Sequence, residues 1–210
     1  MKIFAIIAIT LLFCFSLPIF AEETATMKGQ PNQTTRIDTM KNENSKEYLV
    51  VYYSRTGNTR KVAEAIAGEL KCDIEEIIDL KDRSGALGYM KSGKDATLKN
   101  LTEIRDIEKN PGDYATIIIG TPVWAWTMST AVRTYITRFS DRFKSVAFFC
   151  TMGGSGDKGT FEAMEELCGK HPIMTLAILQ SEIEKDSYRD KVKYFAGKIL
   201  KNKQGDSDGR

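Results

Sequence analysis

The sequence predicts an α/β domain: a doubly wound, five-stranded parallel sheet in the order 2-1-3-4-5, with helices on both faces. Two observations predict it. From Tyr48 onward, short apolar runs alternate with longer amphipathic stretches, the texture of a parallel sheet covered on both sides. Within the longer stretches the apolar residues recur at helical spacing, as in Val62, Ala63, Ile66, Ala67 and Leu70. Right-handed crossovers between such strands wind the sheet doubly, and 2-1-3-4-5 is a common solution.

The strands are read at 48–53 (YLVVYY), 73–78 (DIEEII), 114–120 (YATIIIG), 145–150 (SVAFFC) and 173–179 (IMTLAIL). Helices are expected at Thr59–Leu70, around Ser129–Phe139 and Phe161–Cys168, and at Tyr188–Leu200 with Val192, Phe195, Ala196 and Ile199 inward. Residues 81–110 carry glycines at 85, 88 and 93, which break any long helix, so one short helix with irregular connections is expected there.

The 210 residues suffice for one domain of ordinary size, and 42% hydrophobic with 28% charged residues describes a water-facing globule. Basic residues number 30 against 28 acidic ones and are scattered, which argues against a nucleic-acid partner. The first 21 residues differ from the rest. Lys2 precedes an uncharged run from Ile3 to Ala21, broken by Pro18 and followed by Glu22 and Glu23. This reads as a signal peptide cut after Ala21. The alternative is an uncleaved anchor, since about 19 uncharged residues just span a bilayer. Both readings export the domain to the periplasm or another extracytoplasmic space, with membrane contact through the N-terminal segment alone. Residues 22–47 lack large apolar side chains and are read as a flexible tether, 48–203 as the folded domain and 204–210 as a disordered tail. Cys72, Cys150 and Cys168 sit in apolar segments and are read as plain buried thiols, a Cys150–Cys168 bridge being the sharper alternative. With His171 the single histidine, no zinc ligand set is present.

The first strand runs into its helix through Ser54, Arg55, Thr56, Gly57, Asn58 and Thr59. Backbone amides of such a turn, with the positive end of the helix dipole, make an anion cradle. Ser54, Thr56 and Thr59 offer hydroxyl donors, and Asn58 is placed to cap the helix. No GxxxxGK[ST] motif is present, so the loop suits a single terminal phosphate. Spacing alone equally suits ordinary turn and cap residues.

Beyond the third strand, Thr121, Pro122, Val123, Trp124, Ala125 and Trp126 turn outward at the carboxyl edge. Both tryptophans lie there, which suits a flat heteroaromatic ligand against one of them while the other packs beneath the loop. Beyond the fourth strand come Thr151, Met152, Gly153, Gly154, Ser155 and Gly156, whose glycines let main chain approach a ligand. Gly154, Gly156 and Gly159 satisfy GxGxxG, but after the fourth strand instead of the first, so a dinucleotide fingerprint is rejected. No catalytic constellation appears: Ser155 lies in GGSGD and not in a GxSxG elbow, and His171 before Pro172 reads as a surface residue.

The segment YSRTGNTRKVAEAI resembles the phosphate-binding signature of the flavodoxin family, and the next two loops follow in the family's order over about residues 48–200. The resemblance implies noncovalent FMN, with its phosphate at 54–59, the isoalloxazine ring beside 121–126 and its pyrimidine edge near 151–156. It implies an electron carrier docking on redox partner proteins. The rival reading is an NAD(P)H-dependent quinone or flavin reductase with a small quinone or flavin acceptor, and a third is a flavin-free binding module. Carrier flavodoxins are strongly acidic, whereas without Lys2 this chain sets 29 basic residues against 28 acidic ones, which would favour a higher reduction potential.

Overall fold

A computed structural model of the chain describes residues 47–83 and 85–207. The expected export segment, and the tether apart from Glu47, lie outside the described residues. Among the described residues no helix is long and apolar enough to cross a membrane.

The chain opens with β1 (Tyr48–Tyr52), α1 (Asn58–Leu70) and β2 (Asp73–Glu76). After α2 (Gly85–Thr97) and a 3-10 turn at Pro111–Asp113, β3 (Thr116–Trp124) doubles back as β4 (Thr127–Met128). There follow α3 (Thr130–Phe139), β5 (Ser145–Met152) and α4 (Asp157–Cys168). The fold closes with β6 (Thr175–Leu179), α5 (Gln180–Glu184) and α6 (Arg189–Ser207).

The five long strands are parallel and ordered β2-β1-β3-β5-β6, which in chain order, without β4, is the predicted 2-1-3-4-5. The sixth strand, β4, was not predicted; it pairs antiparallel with the end of β3, Val123 opposite Met128 and Trp124 opposite Thr127. The pleat sends alternate residues to opposite faces. Leu49, Val51, Ile117, Ile119 and Phe148 pack with α3 and α4, whereas Val50, Ile118, Ala147, Phe149 and Ile178 pack with α1 and α6. Burial on both sides is why the strands read as unbroken apolar runs.

The segment after β2 corrects the expectation of a short helix, for α2 contains Gly85, Gly88 and Gly93 without breaking. A Cβ at Gly88 would stand 2.3 Å from the carbonyl carbon of Arg83, so the glycine lets the helix close over that residue. Tertiary contacts hold the segment in place of propensity. Arg83 Nε donates to Asp79 Oδ2 at 2.6 Å and its NH1 to Asp95 Oδ2 at 3.0 Å. Thr102 Oγ1 donates to the other Asp79 oxygen at 2.8 Å, and Thr102 N donates to Thr134 Oγ1 on α3 at 3.0 Å.

The three described cysteines are free, so the Cys150–Cys168 bridge does not form. Burial pushes the Cys150 thiol up to about 12, with the charge of Asp157 adding to the rise. His171 is exposed and meets Glu165 Oε1 at 2.8 Å.

Candidate functional site

The three loops singled out by the sequence meet at the carboxyl edge of β1, β3 and β5. In the first, Gly57 has φ +92° and ψ −13° and is the N-cap of α1. A Cβ there would meet nothing within 4 Å, so backbone conformation alone calls for glycine. Gly57 N donates to Ser54 Oγ at 3.1 Å, which sets the curvature of the loop. Asn58, expected to cap the helix, is instead its first residue. No side chain caps α1 and no acid lies in its first turn. First-turn amides have no intrahelical acceptor, so the positive end of α1 is left facing the loop without a side-chain partner.

Thr56 is exposed and Ser54 and Arg55 are half-buried. Thr59, expected to offer its hydroxyl to an anion, is buried, and that hydroxyl meets Thr151 Oγ1 at 2.8 Å. It therefore ties the first loop to the end of β5. Its amide remains in the first turn of the helix.

In the second loop Thr121 is fully buried and its hydroxyl is engaged within the protein. Its Oγ1 donates to Pro122 O at 2.9 Å and accepts from Ser129 N at 3.0 Å. Ser129 in turn caps α3 by accepting from Val132 N. Pro122, half-buried, stays in register with Thr151. Val123, Trp124, Ala125 and Trp126 form one wall of a cavity of about 450 Å3. Gly153, Gly154 and Ser155 form another, and Met90 and Gly93 of α2 complete it. Sequence reasoning missed Met90 and Gly93, since they lie in the glycine-broken stretch and only the fold brings them to this edge.

The tryptophans divide as expected. Trp124 is 6% exposed, edge-on to Tyr53 at 5.5 Å between centroids, with the Arg83 guanidinium 5.5 Å from its ring centre. Trp126 is 70% exposed at the cavity wall. Ala125 (φ +48°) and Trp126 (φ +61°) are the two central residues of the β3–β4 turn, a type I′ geometry normally supplied by Asn-Gly. Left-handed backbone at a residue with a Cβ costs about 1–2 kcal/mol. Ala125→Gly is therefore expected to stabilise the fold by up to about 1 kcal/mol after the entropy of the added glycine is charged, which denaturant unfolding measures.

The glycines after β5 serve two purposes. A Cβ at Gly153 or Gly154 would meet nothing within 4 Å, so their main chain lies open to the cavity. Gly156, at φ +109°, would put a Cβ 2.8 Å from Val123 Cγ1 and 3.1 Å from Trp126 Cα, and one at Gly159 would lie 3.0 Å from Trp126 O. The start of α4 is thus seated against the hairpin. Close approach at Gly156 and Gly159 is to the hairpin. Thr151 is buried at the strut to Thr59, and Met152 is half-buried.

A parallel doubly wound sheet with an uncapped first helix and a tryptophan-walled cavity at its carboxyl edge has the architecture of nucleotide-binding α/β domains. The chain belongs to the flavodoxin family, whose model, described as Flavodoxin, matches residues 47–195. Among solved structures, a flavoprotein from Lactobacillus acidophilus NCFM in complex with FMN is 28% identical, with a TM-score of 0.57 over 67% of this chain and 97% of that one. A protein described as a flavoprotein from Bacteroides uniformis ATCC 8492 is 21% identical, with a TM-score of 0.57 over 70% of this chain and 96% of that one. Another from Bacteroides eggerthii DSM 20697 is 22% identical, with a TM-score of 0.55 over 71% and 98%. These two share the fold. No curated protein sequence matches significantly.

Proposed function

We propose that this domain binds one FMN and serves as an electron-transfer protein outside the cytoplasm. The observation that carries the reading is the pairing, at one sheet edge, of an uncapped, acid-free helix start with a tryptophan-walled cavity of about 450 Å3. The residues fit the cofactor. The amides of 58–60 with the Thr56 hydroxyl suit its phosphate, and Trp126 with the open main chain of Gly153–Ser155 suits its ring. The similarity to the FMN-bound Lactobacillus acidophilus flavoprotein supports it. When bound, FMN supplies the electron exchange itself, and the protein supplies position, hydrogen bonds and nearby charge.

The cavity walls hold no acidic, basic or histidine side chain among the described residues. That lining suits a carrier, in which the bound flavin performs the electron exchange itself. The export reading rests on the residues from Lys2 to Ala21, and the partners in view are redox proteins that dock over the exposed Trp126 edge. Anaerobic addition of NADH or NADPH to the FMN-loaded chain tests the carrier role. Slow or no bleaching of the flavin band is expected, and bleaching at catalytic rates would make the chain a reductase.

Trp126→Ala is expected to weaken FMN about 5- to 30-fold, the worth of one aromatic stacking contact, and to remove most of the indole quenching caused by FMN. Trp124→Phe should remove little of that quenching. Fluorescence titration of both variants checks this, and the opposite ranking would place the ring on the inner tryptophan.

A further inference from the structure

The mouth of the cavity is apolar and its margin is basic. Leu87, Met90 and Trp126 are 73%, 71% and 70% exposed. Met90 and Trp126 line the cavity from different elements, and Leu87 precedes Met90 by three residues, a neighbour on the surface of α2. Large apolar side chains exposed singly are ordinary, but three around one opening mark an interaction surface. Beside them stand cations. Lys94 lies four residues after Met90 and next to Gly93 of the cavity wall, and both Lys94 and Lys91 are exposed without an ion pair among the described residues. Lys158 adjoins Gly159, where a Cβ would lie 3.0 Å from Trp126 O, and its side chain is 88% exposed.

Carboxylates on these elements do not cancel the lysines. Asp95 of α2 is held by Lys81 at 2.8 Å and by Arg83 at 3.0 Å. Asp157 is half-buried in the first turn of α4, where the positive end of the helix faces it. Glu162 comes only within 3.9 Å of Lys158, with both side chains in solvent, and such a pair is worth little. We infer that this face docks an acidic protein surface with an apolar centre: Leu87, Met90 and Trp126 take the centre, and Lys94 and Lys158, from α2 and α4, take the surrounding carboxylates. This names the chemistry of the partner in the carrier reading above and rests on that reading for the partner's being a redox protein. Charges at such a contact set the encounter rate and the choice of partner. A membrane surface is the weaker occupant, because α2 exposes only Leu87 and Met90 among its described large apolar side chains, short of the stripe with which a surface helix enters a bilayer.

The test uses the full FMN-loaded chain. The redox-inert paramagnetic anion hexacyanochromate(III) is expected to broaden amide resonances around Lys94, Trp126 and Lys158 at least about threefold more than the cation hexaamminechromium(III) does. Lys94→Gln with Lys158→Gln should remove at least about half of that broadening. In stopped-flow mixing, the reduced chain passes its two electrons singly to two oxidised molecules of an acidic blue-copper protein and releases one proton to solvent. The rate constant should fall at least about tenfold from low to high salt. The double lysine variant should be about fivefold slower at low salt and within about twofold of wild type at high salt, and Leu87→Ser about threefold slower at both. Equal broadening by the two ions, a rate to the acidic protein that is constant or rises with salt, or a double variant as fast as wild type at low salt overturns the inference. So does cosedimentation with vesicles of phosphatidylglycerol and phosphatidylcholine that the double variant loses, which would give the face to a membrane. A chain that binds no FMN is colourless; the FMN reading then falls alone, and the broadening map of that chain still decides the basic face.

Discussion

Riboflavin is expected to bind this chain at least about a thousandfold more weakly than FMN. The two ligands differ only in the phosphate, for which the loop at 54–59 is the proposed site. Gly57 turns the chain at φ +92°, α1 begins there without a capping side chain, and no acid occupies its first turn. A hydrogen bond to a charged group is worth about 1.5–3 kcal/mol net. Three such bonds, with the helix dipole behind them, exceed the roughly 4 kcal/mol that a thousandfold requires. Thr56→Ala removes one exposed hydroxyl and should cost about tenfold in FMN affinity and nothing in riboflavin affinity. Thr59→Val should weaken FMN for a different reason, because it breaks the 2.8 Å strut to Thr151 that joins two of the site's loops. Calorimetric titration with both ligands reads these effects, and equal affinities for FMN and riboflavin would move the phosphate away from the loop.

Arg83→Met is expected to destabilise the domain by about 3–5 kcal/mol, the cost of leaving a buried carboxylate without its cation. The side chains of Arg83 and Asp79 are each 3% exposed, so solvent does not replace what is lost. Arg83→Lys should rescue little, since one ammonium cannot reproduce a planar fork reaching Asp79 and Asp95 at once. The cluster also sets an acid limit on stability. Lys81 first, then Arg83 and Asn100, hold the Asp95 carboxyl down at about 2 against the opposing effect of burial. A carboxylate depressed in the folded state contributes stability that is complete above its unfolded value near 4 and lost as pH falls through about 2. Asp95→Asn should therefore flatten the loss of stability between pH 4 and 2, a contribution of about 2 kcal/mol, in urea unfolding at stepped pH. FMN affinity should fall in Arg83→Met as well, because Trp124 on one side of the cluster and Met90 and Gly93 of α2 on the other are cavity walls.

The sheet was legible because its three central strands, β1, β3 and β5, are buried on both faces and therefore written as apolar runs, while the edge strands β2 and β6 are only partly buried. The strand-to-helix turn at 54–59 was legible because its small polar residues and glycine suit a tight turn there, and its role toward a phosphate is part of the proposal. The hairpin was not legible. Its turn is Ala125-Trp126, which lacks the Asn-Gly chemistry that signals a type I′ turn, and it is held by the seating of Gly156 and Gly159 against it. The helix α2 was under-read because glycines lower its propensity, while the Arg83 cluster and the burial of Ala96 supply what propensity does not. The partners of a polar residue that faces inward are not written in the sequence. Thr121 and Thr59 carry hydroxyls that any ligand loop would use, and only the register of the surrounding elements shows that Ser129 and Thr151 engage them.

The most direct test of the central claim is a titration of the full chain with FMN, followed by visible absorbance, beside the same titration of Gly57→Val. The substitution adds a branched side chain where φ is +92°, so it rebuilds the phosphate loop without entering either core. Saturation at one FMN per chain in the wild type, with affinity lost by at least about a hundredfold in a folded Gly57→Val chain, is the predicted result. No saturable binding in the wild type, or the same binding curve for both chains, would contradict it.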